Sequence, residues 1–181
     1  MNPIHWDALL ALANVQRGRL SQIAERVHPY TLPHVAATPE QLDDAEARIG
    51  EPLDPLYREL LGYGNGWPLL IWDADMLGTD DLGQGPRWAH GHALLDLYYA
   101  NGDTSELPDR DRVYPILVSP HDNDVMVLRT DGPISRGGHE VIWLGDDVVD
   151  RWENAFEWWL AVIELLKRGV AYYESNPLPP R

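Results

Sequence analysis

The stretch TPEQLDDAEARIGEPLDPLYRELLGYGNGW, from Thr38 to Trp67, constrains the fold more than any other part of the chain. It spells two short helices, a proline-marked turn between them and a glycine-rich exit. Thr38 is placed to cap the first helix. Pro39 fills the first helical position, where a missing N–H costs nothing, and Gln41 stands three residues after Thr38, as a capping box requires. Leu42, Ala45 and Ile49 recur at helical spacing and make one apolar stripe. Pro52 breaks the chain, Asp54 and Pro55 restart it, and Leu56, Tyr57, Leu60 and Leu61 form the next apolar face. Gly62, Gly64, Asn65 and Gly66 tolerate positive φ, so the second helix is expected to end there, with at least one of Gly64, Asn65 and Gly66 in that conformation.

Around this stretch the period of the apolar residues predicts the remaining elements. Leu20, Ile23, Ala24 and Val27 fall at i, i+3, i+4 and i+7, an amphipathic helix over about 4–27, interrupted near Gly18 and docked through those four residues. His28 to Pro33 is an extended linker. Leu69-Leu70-Ile71-Trp72 is a strand, 73–87 an acidic loop, Trp88 to Ala100 a helix closed by Asn101-Gly102, and 103–112 a charged loop. Val113 to Val118 and Val125 to Leu128 form a hairpin across Ser119-Pro120-His121-Asp122-Asn123-Asp124, a run of turn formers, and Val141 to Leu144 is a further strand. Trp152, Phe156, Trp159, Leu160, Ile163 and Leu166 mark one face of a last helix that ends near Gly169. The order suits a single α+β domain, with helices on a mostly antiparallel sheet of about four to six strands. A helical extension and linker (1–36) precede a core (37–167) and a tail (168–181).

The acidic helix after a Thr-Pro start, then LDPLYRELL, then Asn65-Gly66 and an aromatic, resemble the SUKH superfamily, over roughly Ala37 to Leu166. The motifs are degenerate, and Asn65-Gly66 is the most specific of them. Many bacterial members are immunity proteins that neutralise secreted or contact-delivered toxins, and fungal members are cell-wall and signalling regulators. The resemblance implies the same α+β architecture, with Thr38, Pro39, Asn65 and Gly66 as structural positions. It implies an antitoxin-like function: capture of a cognate toxin, a nuclease among the candidates, and occlusion of its active site. A regulatory or scaffolding module for an endogenous protein is the alternative the fungal relatives suggest.

Charge agrees with a protein partner. The chain of 181 residues carries a formal net charge of −15. Residues 1–36 hold Asp7 and Glu25 against Arg17, Arg19 and Arg26, a net of +1, so the rest holds 27 of the 29 acidic and 11 of the 14 basic residues, a net of −16. Such a field repels nucleic acid and anionic membrane and attracts cationic partners, and a basic toxin groove is one. Four acidic loop groups stand out as candidate contacts: Asp73 and Asp75, Asp80 and Asp81, Asp122 and Asp124, Asp146 and Asp147. All follow or connect strands, so several can gather at one sheet edge; solvated loops scattered around the domain are the plainer reading. Trp158 is either a cover over the sheet margin or an exposed anchor for the partner. The absence of cysteine excludes disulfides and thiolate metal sites and fits a cytoplasmic protein, and the N-terminus lacks the basic start of a secretory signal.

Several segments imitate chemistry. Gly62-Tyr63-Gly64-Asn65-Gly66 looks like part of a dinucleotide loop, but a helix precedes it and a strand follows, the reverse of what phosphate binding needs. His90, His92 and Asp96 offer ligand types for a metal, yet residues two apart on a helix face different ways. His121, Asp122 and Asp124 are what a tight turn selects. A small metal-dependent hydrolase built on these groups is the remaining alternative. No nucleophile elbow and no catalytic constellation stand above background, so the expectation is a binding protein, not an enzyme, with no cofactor.

Overall fold

The computed structural model describes residues 3–179. Its frame is one six-stranded antiparallel sheet in simple meander order: β1 (Trp67–Ile71), β2 (Ala74–Met76), β3 (Val113–Val118), β4 (Val125–Arg129), β5 (Val141–Leu144) and β6 (Val148–Trp152). Helices α1 (Trp6–Ala24), α2 (Pro39–Ile49) and α3 (Pro55–Leu61) come before it, α4 (Gly85–Asn101) lies between β2 and β3, and α5 (Ala155–Ser175) closes the chain. The fold is α+β, as the order of elements predicts. No helix among the described residues is long and apolar enough to cross a membrane.

The signature stretch folds as its sequence dictates. The Thr38 hydroxyl accepts from the Gln41 N–H, and the Gln41 side chain accepts in return from the Thr38 N–H at 2.9 Å. Asp54 caps α3, accepting from the N–H groups of Leu56 and Tyr57, and its other carboxylate oxygen accepts from the His139 N–H at 2.7 Å. One buried side chain thus starts a helix and pins the loop between β4 and β5 to it. Leu56, Tyr57, Leu60 and Leu61 are buried, and Tyr57 donates its hydroxyl to the Leu77 carbonyl at 2.6 Å.

Asn65-Gly66 is a crossing point of two chain segments. Asn65 is buried; its amide donates to the Thr79 hydroxyl at 2.7 Å and its carbonyl accepts from the Thr79 N–H at 2.7 Å. Gly66 has φ of 84°, and a Cβ there would lie 2.7 Å from the Gly78 nitrogen.

Five expectations require correction. Helix α1 runs unbroken through Gly18, because its apolar face packs along α5 and tertiary packing outweighs one weak helix former. Leu20 and Ala24 are buried and Ile23 is half-buried on the core, but Val27 is 47% exposed, since α1 ends at Ala24 and Val27 sits in the turn beyond it. The loop over 73–87 contains β2 and the first turn of α4. Trp152 belongs to β6, not to α5, whose true start is marked by Asn154 accepting from the Phe156 and Glu157 N–H groups, both at 3.0 Å. At its far end α5 continues past Gly169 to Ser175, so a division at 168 falls inside the helix. Gly169 is not a terminator; a Cβ there would sit 3.6 Å from Leu20, an ordinary contact between α5 and α1.

Two measurements follow from this packing. Gly66→Val places a β-branched residue at positive φ against the Gly78 backbone, and it should lower unfolding free energy by about 2–3 kcal/mol or more, read by chemical denaturation. Burial first, and then the nearby Arg17 guanidinium, lower the pKa of His28; burial and then Arg110 lower that of His92 against the weaker pull of Asp96. Both rings therefore resist protonation in the fold, whereas the unfolded chain takes up protons below the ordinary value of about 6.5. Stability is held above that pH and lost as pH falls through it toward the lower folded values. Melting temperature against pH should fall in that window, and His28→Gln should make the slope shallower.

Candidate functional site

A meander sends alternate turns to opposite ends of its sheet. The turns β1–β2, β3–β4 and β5–β6 share one end, and the long connections share the other. At the first end Trp72 and Asp73 form the two-residue link of the β1–β2 hairpin, since Ile71 pairs with Ala74. Trp72 has φ of 49°, at a position where hairpins favour glycine. The conformation costs on the order of 1 kcal/mol or more for a bulky residue. It turns an indole outward that remains 45% exposed.

That indole begins a row of three. Its ring centroid lies 5.3 Å from that of Trp143 on β5, and Trp143 stacks on Trp152 of β6 at 6.5 Å with 17° between the planes. Trp143 pairs across the sheet with Met126, and Met126 meets Trp158 of α5, so the row lies on the α5 side of the sheet. Between Trp72 and Trp143 opens a cleft of about 350 Å³, floored by Leu117 and Met126 and rimmed by Asp73, Asp122 and Asp124.

The carboxylates are held in place. The Ser119 hydroxyl donates to Asp73 at 3.0 Å and accepts from the N–H groups of His121 and Asp122, which fixes the β3–β4 turn. The Trp143 indole donates to Asp124 at 2.7 Å. Burial pushes the Asp124 pKa up; the indole hydrogen bond opposes this, and the charges of Asp122, Asp73 and Asp146 reinforce it. Asp146 reaches the group through Asn123, and Asp147 stands beside it, accepting from the Val148 N–H at 2.7 Å and from Tyr98 at 3.5 Å. Unpaired carboxylates beside indole faces suit a cationic side chain, a guanidinium above all, by combined charge and cation–π attraction.

The other expected contacts lie elsewhere. Asp75 accepts from the Leu69 N–H at 2.8 Å, and Arg87 bridges Asp75 at 2.6 Å to Asp81 at 3.2 Å. That cation offsets one of the pair's two charges, while Asp80 is exposed nearby in the turn before α4. Trp158 is not an anchor at the surface. It is fully buried, donates to the Met126 sulfur at 3.1 Å and packs against Tyr57 and Trp159, because α5 buries two adjacent rows rather than one stripe. His90 meets the Ser119 carbonyl at 3.1 Å, His92 stacks on Trp88 and receives a hydrogen bond from Arg110 at 2.8 Å, and Asp96 pairs with Arg110. Among the described residues no three His, Asp or Glu side chains are grouped to hold a metal ion. Trp72 and Trp143 were hidden in sequence as ordinary strand residues; the signal was an indole directly before Asp73 in a hairpin too short for a bulky residue.

No family model matches the chain, and no curated protein matches it significantly.

The crowding of carboxylates has a measurable cost. Asp124→Asn keeps an oxygen for the Trp143 indole and removes one charge from four. It should stabilise the fold by about 0.5 kcal/mol at low salt, a small figure because water screens the group, and the gain should vanish as salt rises. Thermal melts at two ionic strengths read it.

Proposed function

We propose that this protein is a binding module that captures a basic protein partner on the acidic, tryptophan-lined end of its sheet. In the form the SUKH resemblance implies, the partner is a cognate bacterial toxin whose active site the docked module occludes. The observation that carries this reading is the cleft between Trp72 and Trp143, where Asp73, Asp122 and Asp124 converge with no cation beside them among the described residues. Complementary charge speeds encounter, and aromatic anchors at the centre of an interface slow dissociation. A toxin that attacks nucleic acid presents a basic groove of the required sign, and the cleft acts there as a mimic of phosphate. An immunity role needs binding alone, so no catalytic group is assigned.

The test is retention of a partner on the immobilised protein, its identification by mass spectrometry, and stopped-flow association of the pair. Reversal of Asp122 and Asp146 to Lys leaves the Asp124–Trp143 hydrogen bond intact, so it is preferred to reversal of Asp124. That variant should associate about tenfold more slowly at low salt, with the difference closing as salt rises. Trp72→Ala should mainly raise the dissociation rate. Equal rates for wild type and the reversed variant at low salt would mean that the partner docks elsewhere. Co-expression that fails to protect cells from the captured partner would remove the immunity role and leave the binding role standing.

A further inference from the structure

A second recess opens on the other side of Trp72, where α1, the end of β1 and α5 meet. Its volume is about 320 Å³, within the range of small-molecule sites, about 300–1,000 Å³. Leu20, Ile71 and Leu166 form an apolar floor, and Trp72, Tyr172 and Tyr173 form aromatic walls. Gly169 contributes no side chain at the point where α5 borders the recess.

The charged residue of the lining, Arg168, is of the opposite sign to the protein's net charge. His28 lines the recess, is 6% exposed, and has an Nδ1 with no hydrogen-bond partner. Its ring is held edge-on to Tyr173, with centroids 5.2 Å apart. Arg17 lies close enough to His28 to depress its pKa. The guanidinium is fully buried. Its Nη2 donates to the Pro29 carbonyl and reaches the Thr31 hydroxyl at 3.5 Å, while Nε and Nη1 have no partner among the described residues. A buried cation without an anion is costly, and a negative charge within reach of its field offsets that cost. Arg168 stands exposed on the recess wall. On α5 itself Glu174 pairs with Arg19 at 2.9 Å and Glu164 with Lys167 at 2.6 Å.

We propose that this recess binds a small amphipathic anion, a carboxylate carried on an aliphatic or aromatic body. The body lies on the floor between Trp72 and the tyrosines. The carboxylate faces His28 and Arg168, in the positive field of Arg17. This site is separate from the acidic cleft in sign and in ligand, and shares with it only Trp72, whose fluorescence reports occupancy.

The full-length protein is titrated with 4-phenylbutyrate, 4-phenylbutanol and 4-phenylbutylamine, by calorimetry and by tryptophan fluorescence. The acid should bind saturably, the alcohol about tenfold more weakly and the amine not at all. Arg168→Glu should weaken the acid about fivefold while leaving the alcohol unchanged. Gly169→Met introduces a better helix former on α5 and fills the recess, so it should abolish binding of both in a protein that still melts cooperatively. Failure of all three probes to bind at millimolar concentrations would overturn the site. Equal affinity for acid and alcohol would overturn the choice of an anion, and binding that survives Gly169→Met in a folded protein would overturn the location.

Discussion

The side-by-side burial of Trp158 and Trp159 beneath α5 is the packing on which the rest of the structure depends. Adjacent helical residues point about 100° apart, so burying both indoles requires apolar partners around a wide arc. Trp158 meets Tyr57 of α3 and Met126 of β4, and Trp159 meets Trp67 of β1. Phe156, one turn away, meets Trp6 of α1 with ring centroids 6.2 Å apart. One helix therefore joins the N-terminal helix, the signature helix and both halves of the sheet. Each tryptophan is of a size whose loss from a core typically costs about 3–5 kcal/mol. The N-terminal helix is part of the domain by the same contacts: Leu20 of α1 lies against Gly169 of α5.

With α5 fixed across one face, the meander decides where chemistry can gather. Antiparallel neighbours reverse direction at each turn, so three hairpin turns must share an end whatever their sequence. The chain places Asp73, Asp122 with Asp124, and Asp146 with Asp147 on those three turns, and their charges meet. Asp80 and Asp81 follow β2 on the connection to the opposite end, where Arg87 draws Asp81 to Asp75. Acid residues of identical type thus divide into a pair bridged by one arginine with a structural task and a group without a counter-ion, and topology rather than composition separates them.

The same contrast explains what was legible in the sequence. The α2–α3 pair was readable nearly to the residue because caps, prolines and exit glycines act within four positions of one another. The β3–β4 hairpin and β5 were readable because they are buried apolar runs of strand length. Strand β6 was not, since VVDRW is an edge strand whose exposed Asp150 and half-buried Arg151 blur its period, and it runs almost directly into α5. Trp158 was left open between a cover over the sheet margin and an exposed anchor because a single stripe is the wrong template for a helix packed on two sides. At the site, residue type announced the acidic turns, but their convergence depends on sheet register over more than seventy residues. The conformation of Trp72 had only a local clue, a bulky residue where the turn favours glycine.

That clue matters because closing the hairpin does not itself require an indole. A glycine at position 72 would close the β1–β2 hairpin without strain, and an uncharged residue at 124 would relieve repulsion from Asp73, Asp122 and Asp146. Both costs fall at the same end of the sheet, on residues that line the same cleft. At many other positions local preference and tertiary packing agree: Thr38 caps where it should, Gly66 takes the positive φ its neighbours demand, and Asn154 starts α5. Leu69 and Arg136 also hold positive φ, at 52° and 53°, but Trp72 is the one of the three that lines the cleft, where its strain coincides with the crowded carboxylates. The strain holds Trp72 upright and the uncompensated charge keeps the cleft negative, and both are properties that a cationic partner, not the folded chain alone, would reward.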